Sequence, residues 1–124
     1  MSIHDDIRKH LLDQLGLSDI FAEGSVDLGL LERSEWSPDF EQLMRNRLII
    51  GALRYGKIGS ASKPQYDRIS EIIQRAKQYR ETGNDELLVD IANMALLEYV
   101  EGVHPQKHFC SIYDRRVHIK PIVR

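Results

Sequence analysis

Residues 84–102 read NDELLVDIANMALLEYVEG, and this stretch decides the fold. At about 100° per residue, Leu87, Leu88, Val89, Ile91, Ala92, Met94, Ala95, Leu96, Leu97, Tyr99 and Val100 cover nearly every direction around a helix. A helix with no polar face is a central one, covered by neighbours. Glu86, Asp90 and Asn93 interrupt it within a sector of roughly 60°, because i, i+4 and i+7 positions stack on one face. A carboxylate pair on a buried helix is costly unless a cation, an arginine or a metal offsets it. The chemistry of the chain is therefore expected along that seam.

Working outward, Thr82-Gly83-Asn84 is a compact break, with Gly83 as the left-handed cap of one helix and Asn84 capping the next. The preceding helix is expected to open at Pro64 and run to about Arg80, with Ile69, Ile72, Ile73, Ala76 and Tyr79 as its core stripe. Together the two make an antiparallel hairpin with a very short turn. Upstream, Ser37-Pro38-Asp39 with Glu41 is the clearest helix start: an N-cap, a proline at the first position and acids opposing the helix dipole. That helix should reach Tyr55 and stop at Gly56. A first helix is expected over 2–16, from Ser2 and Asp5 to a cap at Gly16. Residues 17–36, broken by Gly24 and Gly29, read as a connector with a short helix near Ile20–Ala22. The tail from Phe109 holds β-branched residues and room for a hairpin about Asp114–Arg116, or an extended arm.

The expected fold is all-α: an antiparallel bundle of about four helices in one domain over 1–124, with a core at 38–102 and an irregular or short-β tail at 103–124. A net charge of −2 argues against a generic nucleic-acid binder. Arg45, Arg47 and Arg54 point in different directions rather than forming one recognition stripe. One cysteine, Cys110, excludes an intrachain disulfide framework and fits a reducing cytosol. The first residues lack an apolar signal core, and no run approaches the ~20 apolar residues of a membrane span. A cytoplasmic protein is expected.

Four constellations could carry chemistry. In the first, the oxygens of Glu86, Asp90 and Asn93 suit Mg²⁺, which takes a carboxylate or two plus water and phosphate oxygens. Alternatively, Asp90 and Asn93 satisfy buried arginines or backbone groups while Glu86 complements the helix N-terminus. The second is Arg47 and Arg54, two turns apart with Gly51 near the same face. Arginines there could grip a phosphate or pair with Asp90 and Glu86 as an ionic network. The third, Asp67 and Glu71, shares a face opposite the isoleucine stripe, so it joins a site only if that helix is covered on both sides, as by a second subunit. The fourth comprises His104, His108, Cys110, Asp114 and His118, but Pro105 breaks their alignment and no zinc spacing is present. His104-Pro105 reads instead as a turn that fastens the tail.

With these residues in hand, the segment from about 40 to 101 resembles the all-α nucleoside triphosphate pyrophosphohydrolases of the MazG-like superfamily. Their motif is E-x-x-E on one helix and E-x-x-D on the next. Here Asp67-x-x-x-Glu71 precedes Glu86-x-x-x-Asp90, with fourteen residues between Glu71 and Glu86 and a spacing of four within each pair. The resemblance implies Mg²⁺-dependent cleavage of a nucleoside triphosphate to a monophosphate and pyrophosphate. Glu71, Glu86 and Asp90 would hold the metal, with Glu86 and Asp90 in the catalytic role. Arg47 and Arg54 would meet phosphate, and Asn93 would orient a ligand or water. TGNDELLVDIANMALLEYVEGVHPQKHF, residues 82–109, also looks similar to uncharacterised prokaryotic and phage proteins. The rival expectation is a non-catalytic helical module, either a dimerising adaptor or a protein that sequesters a nucleotide. A homodimer is expected on either reading, since the central helices offer more apolar surface than their neighbours cover.

Overall fold

The computed structural model describes residues 3–10 and 27–110, and among these all regular structure is helical. The helices are α1 (Ile3–His10), α2 (Leu28–Ser34), α3 (Pro38–Tyr55), α4 (Arg68–Thr82) and α5 (Asp85–Glu101). The chain divides into two compact units, one of them Ser37–Lys107, which holds α3, α4 and α5. The described parts of the other unit include α1 and α2. Ser2, the cap at Gly16, the short helix at 20–22, the hairpin about Asp114–Arg116, and the side chains of Asp114 and His118 lie outside the described residues.

The helix α2 corrects the reading of 17–36 as a connector broken at Gly29. Asp27 stands before it in an extended conformation, and its carboxylate accepts the backbone N–H of Leu30 at 3.1 Å. A satisfied N-cap outweighs one glycine in the first turn.

In the 37–107 unit, α3 begins as its sequence says. Ser37 Oγ accepts from Phe40 N–H, Pro38 occupies the first turn, and Gly56 ends the helix with φ at 107°. That conformation strains any residue with a side chain, and a Cβ there would also crowd the hydroxyls of Ser60 and Ser62. The start of α4 does not follow Pro64. The helix opens at Arg68 because Asp67 caps it, accepting from the backbone N–H and the hydroxyl of Ser70 at 3.1 and 2.8 Å. Those bonds, the backbone one foremost, hold the Asp67 carboxyl below the usual range. At the hairpin turn, Gly83 is left-handed (φ 68°, ψ 18°) and Asn84 accepts from Glu86 N–H, as expected.

Within this unit α5 packs against both α4 and α3. The hairpin is antiparallel: Arg68, at the start of α4, reaches Glu98 and Glu101 at the end of α5. On α5, Val89, Asn93, Met94 and Leu97 are buried, whereas Tyr99 is 70% exposed and Val100 half exposed. The helix is therefore central on one side only. The expected stripe on α4 is also corrected. Ile69 and Ile73 are half exposed, and the side turned inward carries Arg68, Glu71, Ile72, Arg75 and Tyr79. Long charged side chains can cover an apolar neighbour with their stems while their heads pair with charge. Beyond α5, Lys107 Nζ donates to the carbonyls of Glu98 and Tyr99 and lies 5.6 Å from the Tyr99 ring centre. That ammonium satisfies carbonyls that the helix end would leave open. The expected turn after Gly102 is present: His104 Nδ1 accepts from Gln106 N–H, and its carbonyl from Lys107 N–H.

Candidate functional site

The acidic seam of α5 lies where arginines arrive from both neighbouring helices. From α3, Arg47 Nη2 is 2.6 Å from Glu86 Oε1 and 3.4 Å from Asp90 Oδ1. From α4, Arg75 Nε is 3.7 Å from the other Asp90 oxygen, and Arg75 also pairs with Glu71 one turn before it. The result is a single row: Glu71, Arg75, Asp90, Arg47, Glu86. Asp90 is its centre, with a side chain only 22% exposed. A carboxylate flanked by two guanidiniums has its charge offset locally, and Arg47 donates the hydrogen bond to it.

Three residues expected to bind metal, Glu71, Glu86 and Asp90, thus belong to one cluster, but an arginine separates each from the next. Glu71 is half-buried and pairs with Arg75 on its own helix, so it does not stand on a fully solvated face as expected. Asp67 does not join them; its oxygens cap α4. Among the described residues no group of three or more His, Cys, Asp or Glu is arranged to hold a metal ion.

Asn93, one turn past Asp90, is 7% exposed and anchors α5 to α3 by donating Nδ2 to the Met44 carbonyl at 3.1 Å. Its Oδ1 is buried and accepts no hydrogen bond. Beside it lies an open cavity of about 240 Å³, whose wall includes Arg47, Arg54, Tyr66, Asp90 and Asn93 over the apolar side chains of Met94 and Leu97. The structure therefore brings together Arg47, Arg54, Asp90 and Asn93 around one space. Glu86 meets Arg47 outside it.

Two groups of residues were missed by sequence reasoning. Arg75 could have been found from its spacing of four after Glu71, a standard ion-pair interval on a helix. The other is Arg68 with Glu98 and Glu101. Arg68 is 5% exposed, bonds Glu98 Oε1 at 3.2 Å and Glu101 Oε1 at 3.0 Å, and sits 5.6 Å from the Tyr66 ring centre. The second oxygen of Glu101 accepts Gly59 N–H at 3.0 Å, tying the loop between α3 and α4 to the end of α5. No local spacing in the sequence announces that contact.

Comparison of the chain with known protein families, curated proteins and solved structures yields no match. No described helix is long and apolar enough to cross a membrane.

Proposed function

We propose that this protein is a non-catalytic helical module that works by pairing with a second copy of itself. The observation that carries this reading is the large apolar surface its packed helices leave exposed. Leu43, Ile49 and Leu53 on α3, Ile69 and Ile73 on α4, and Tyr99 on α5 are each half exposed or more. Against them, the buried apolar core among the described residues is Val89, Met94 and Leu97. Exposed apolar side chains in this number on a small unit are surface that a pairing would cover, a stable pairing taking about 800 Å² from each partner. A second copy is the occupant that suits the charge, because a chain with a net charge of −2 repels itself weakly. The Glu71–Arg75–Asp90–Arg47–Glu86 row has a structural task on this reading: it fixes how α3 and α4 sit on α5, and so which apolar residues are presented.

Sedimentation equilibrium of the full chain tests this. A dimer at micromolar concentration is expected, and Leu53→Glu should convert it to a monomer. Leu53 is 82% exposed, so the substitution should change the stability of the isolated fold by no more than about 0.5 kcal/mol. A parent chain that sediments as a monomer throughout would sink the proposal.

A second reading is favoured by one observation: Asp90, linked through arginines to Glu86 and Glu71, lines a cavity. On that reading the chain is a Mg²⁺-dependent nucleotide pyrophosphohydrolase resembling the MazG-like superfamily. The carboxylate oxygens suit Mg²⁺, but the ion would have to displace arginines already bound to them. The two readings part on a panel of nucleoside triphosphates incubated with and without Mg²⁺, scored for pyrophosphate against orthophosphate. The module reading expects silence, with Asp90→Ala only lowering thermal stability by about 1–2 kcal/mol. Pyrophosphate that requires Mg²⁺ and disappears in Asp90→Ala would establish the enzyme instead.

A further inference from the structure

The outward side of α3 carries a pattern that its packing within the unit does not use. Leu43, Asn46, Ile50 and Leu53 are all exposed, and at about 100° per residue they fall within roughly 80° of one another. The opposite side holds the half-buried Met44, Leu48 and Ala52, and the Met44 carbonyl takes the bond from Asn93 of α5. The outward four are spaced by three, four and three residues, the interval at which two helices seat against each other as a coiled coil. Ile50 followed by Leu53 is the order of β-branched and γ-branched side chains that favours two strands. None of the four is charged. Their one polar group is the Asn46 amide, whose Oδ1 accepts from Gln42 Nε2 at 2.8 Å.

We infer that the protein dimerises through α3, laid parallel on α3 of a second copy with Asn46 facing its counterpart. This rests on the self-association proposed above and assigns it a face and an orientation. A partner with a charged surface would have to bury those charges unanswered against an uncharged row, which is costly; a second copy brings none. The amide then decides the direction. In a parallel pair Asn46 stands level with the partner's Asn46, and Nδ2 of one can donate to Oδ1 of the other, which has a second lone pair beyond the one Gln42 uses. In an antiparallel pair with the rows overlaid, Leu43 meets Leu53 and Asn46 meets Ile50, so each amide is closed off against an apolar side chain. The flanks agree. Arg47 and Arg54 border the row on one side, Gln42 and Ile49 on the other. Parallel helices set the arginine flank of one against the Gln42 and Ile49 flank of its partner, whereas antiparallel helices set arginine against arginine. Asp39, one turn before the row, is exposed at the helix start, where it stays in water.

Disulfide trapping in the full chain tests this, with Cys110→Ser as the background. Leu43→Cys and Leu53→Cys chains are mixed, oxidised mildly and mapped by peptide mass. A disulfide needs Cα atoms within about 7 Å. Parallel helices bring each position against itself, whereas overlaid antiparallel helices hold the two Leu53 positions about 15 Å apart along the helix. Disulfides joining like positions are expected to outnumber those joining 43 to 53 about tenfold or more, the preference that an amide left without a partner imposes. Adding Asn46→Leu to both chains should erase that preference, and a preference that survives it overturns the role given to Asn46. A majority of 43-to-53 disulfides overturns the parallel arrangement. A chain that sediments as a dimer yet forms neither disulfide overturns α3 as the pairing face and leaves the dimer itself standing. A monomer in sedimentation removes both.

Discussion

Arg68→Ala is expected to destabilise the 37–107 unit by about 3 kcal/mol. The guanidinium is 5% exposed and answers two carboxylates, Glu98 and Glu101. Removing it leaves both without a cation, and breaking a buried pair from one side costs more than the pair itself contributes. The effect falls at the low end of that range for two reasons: Glu98 is one-third exposed, and Glu101 keeps its bond from Gly59 N–H. For a unit of this size such a change lowers the melting temperature by roughly 12–24 °C, readable by circular dichroism. The triple change Arg68→Met, Glu98→Leu and Glu101→Leu should recover most of that loss, since replacing every charge of a buried cluster by apolar groups is close to neutral. If the single change melts like the parent, the cluster is compensated by solvent and the loop at Gly59 is not held through it.

The second large effect is at Leu97, one of three buried apolar side chains among the described residues. Leu97→Ala should cost about 2–3 kcal/mol, the lower part of the range for buried leucine, because no described side chain is fully enclosed and its neighbours can relax. Leu53→Ala makes the same chemical change on a side chain 82% exposed. In the isolated unit it should cost less than about 0.5 kcal/mol. Chemical denaturation of both variants at low and high protein concentration separates packing from association. Leu97→Ala should lose the same stability at either concentration, and Leu53→Ala should lose stability only where the dimer is populated. Equal losses at low concentration would show that Leu53 is already covered within one chain.

Much of this architecture can be read from local chemistry. Ser37-Pro38-Asp39 and Gly83-Asn84 are helix ends whose bonds are made within a few residues, so sequence alone places them. The acidic seam is legible for the same reason: its i, i+4, i+7 spacing is a property of one helix. The start of α4 was misplaced because proline suits a first helical turn but does not demand one. Asp67, three residues on, makes the bonds that a start requires. The inner side of α4 departs from its isoleucine stripe because apolarity is not the only mark of packing. Arg68, Glu71 and Arg75 face inward by pairing their charges with partners on α5 and with one another, partners that no spacing within α4 reveals. The choice between metal and arginine at Asp90 was open for the same cause. It depends on two side chains brought from other helices.

The row from Glu71 through Arg75, Asp90 and Arg47 to Glu86 alternates in sign along its whole length. Such a row has no harmless single reversal. Inverting any one charge places like beside like on every side it touches, and inverting a central one does so twice. Natural variation can pass through these five positions only by paired exchange or by wholesale neutralisation. They would be inherited as one unit, a single character spelled by three helices, although Asp90 stands forty-three positions after Arg47 in the sequence.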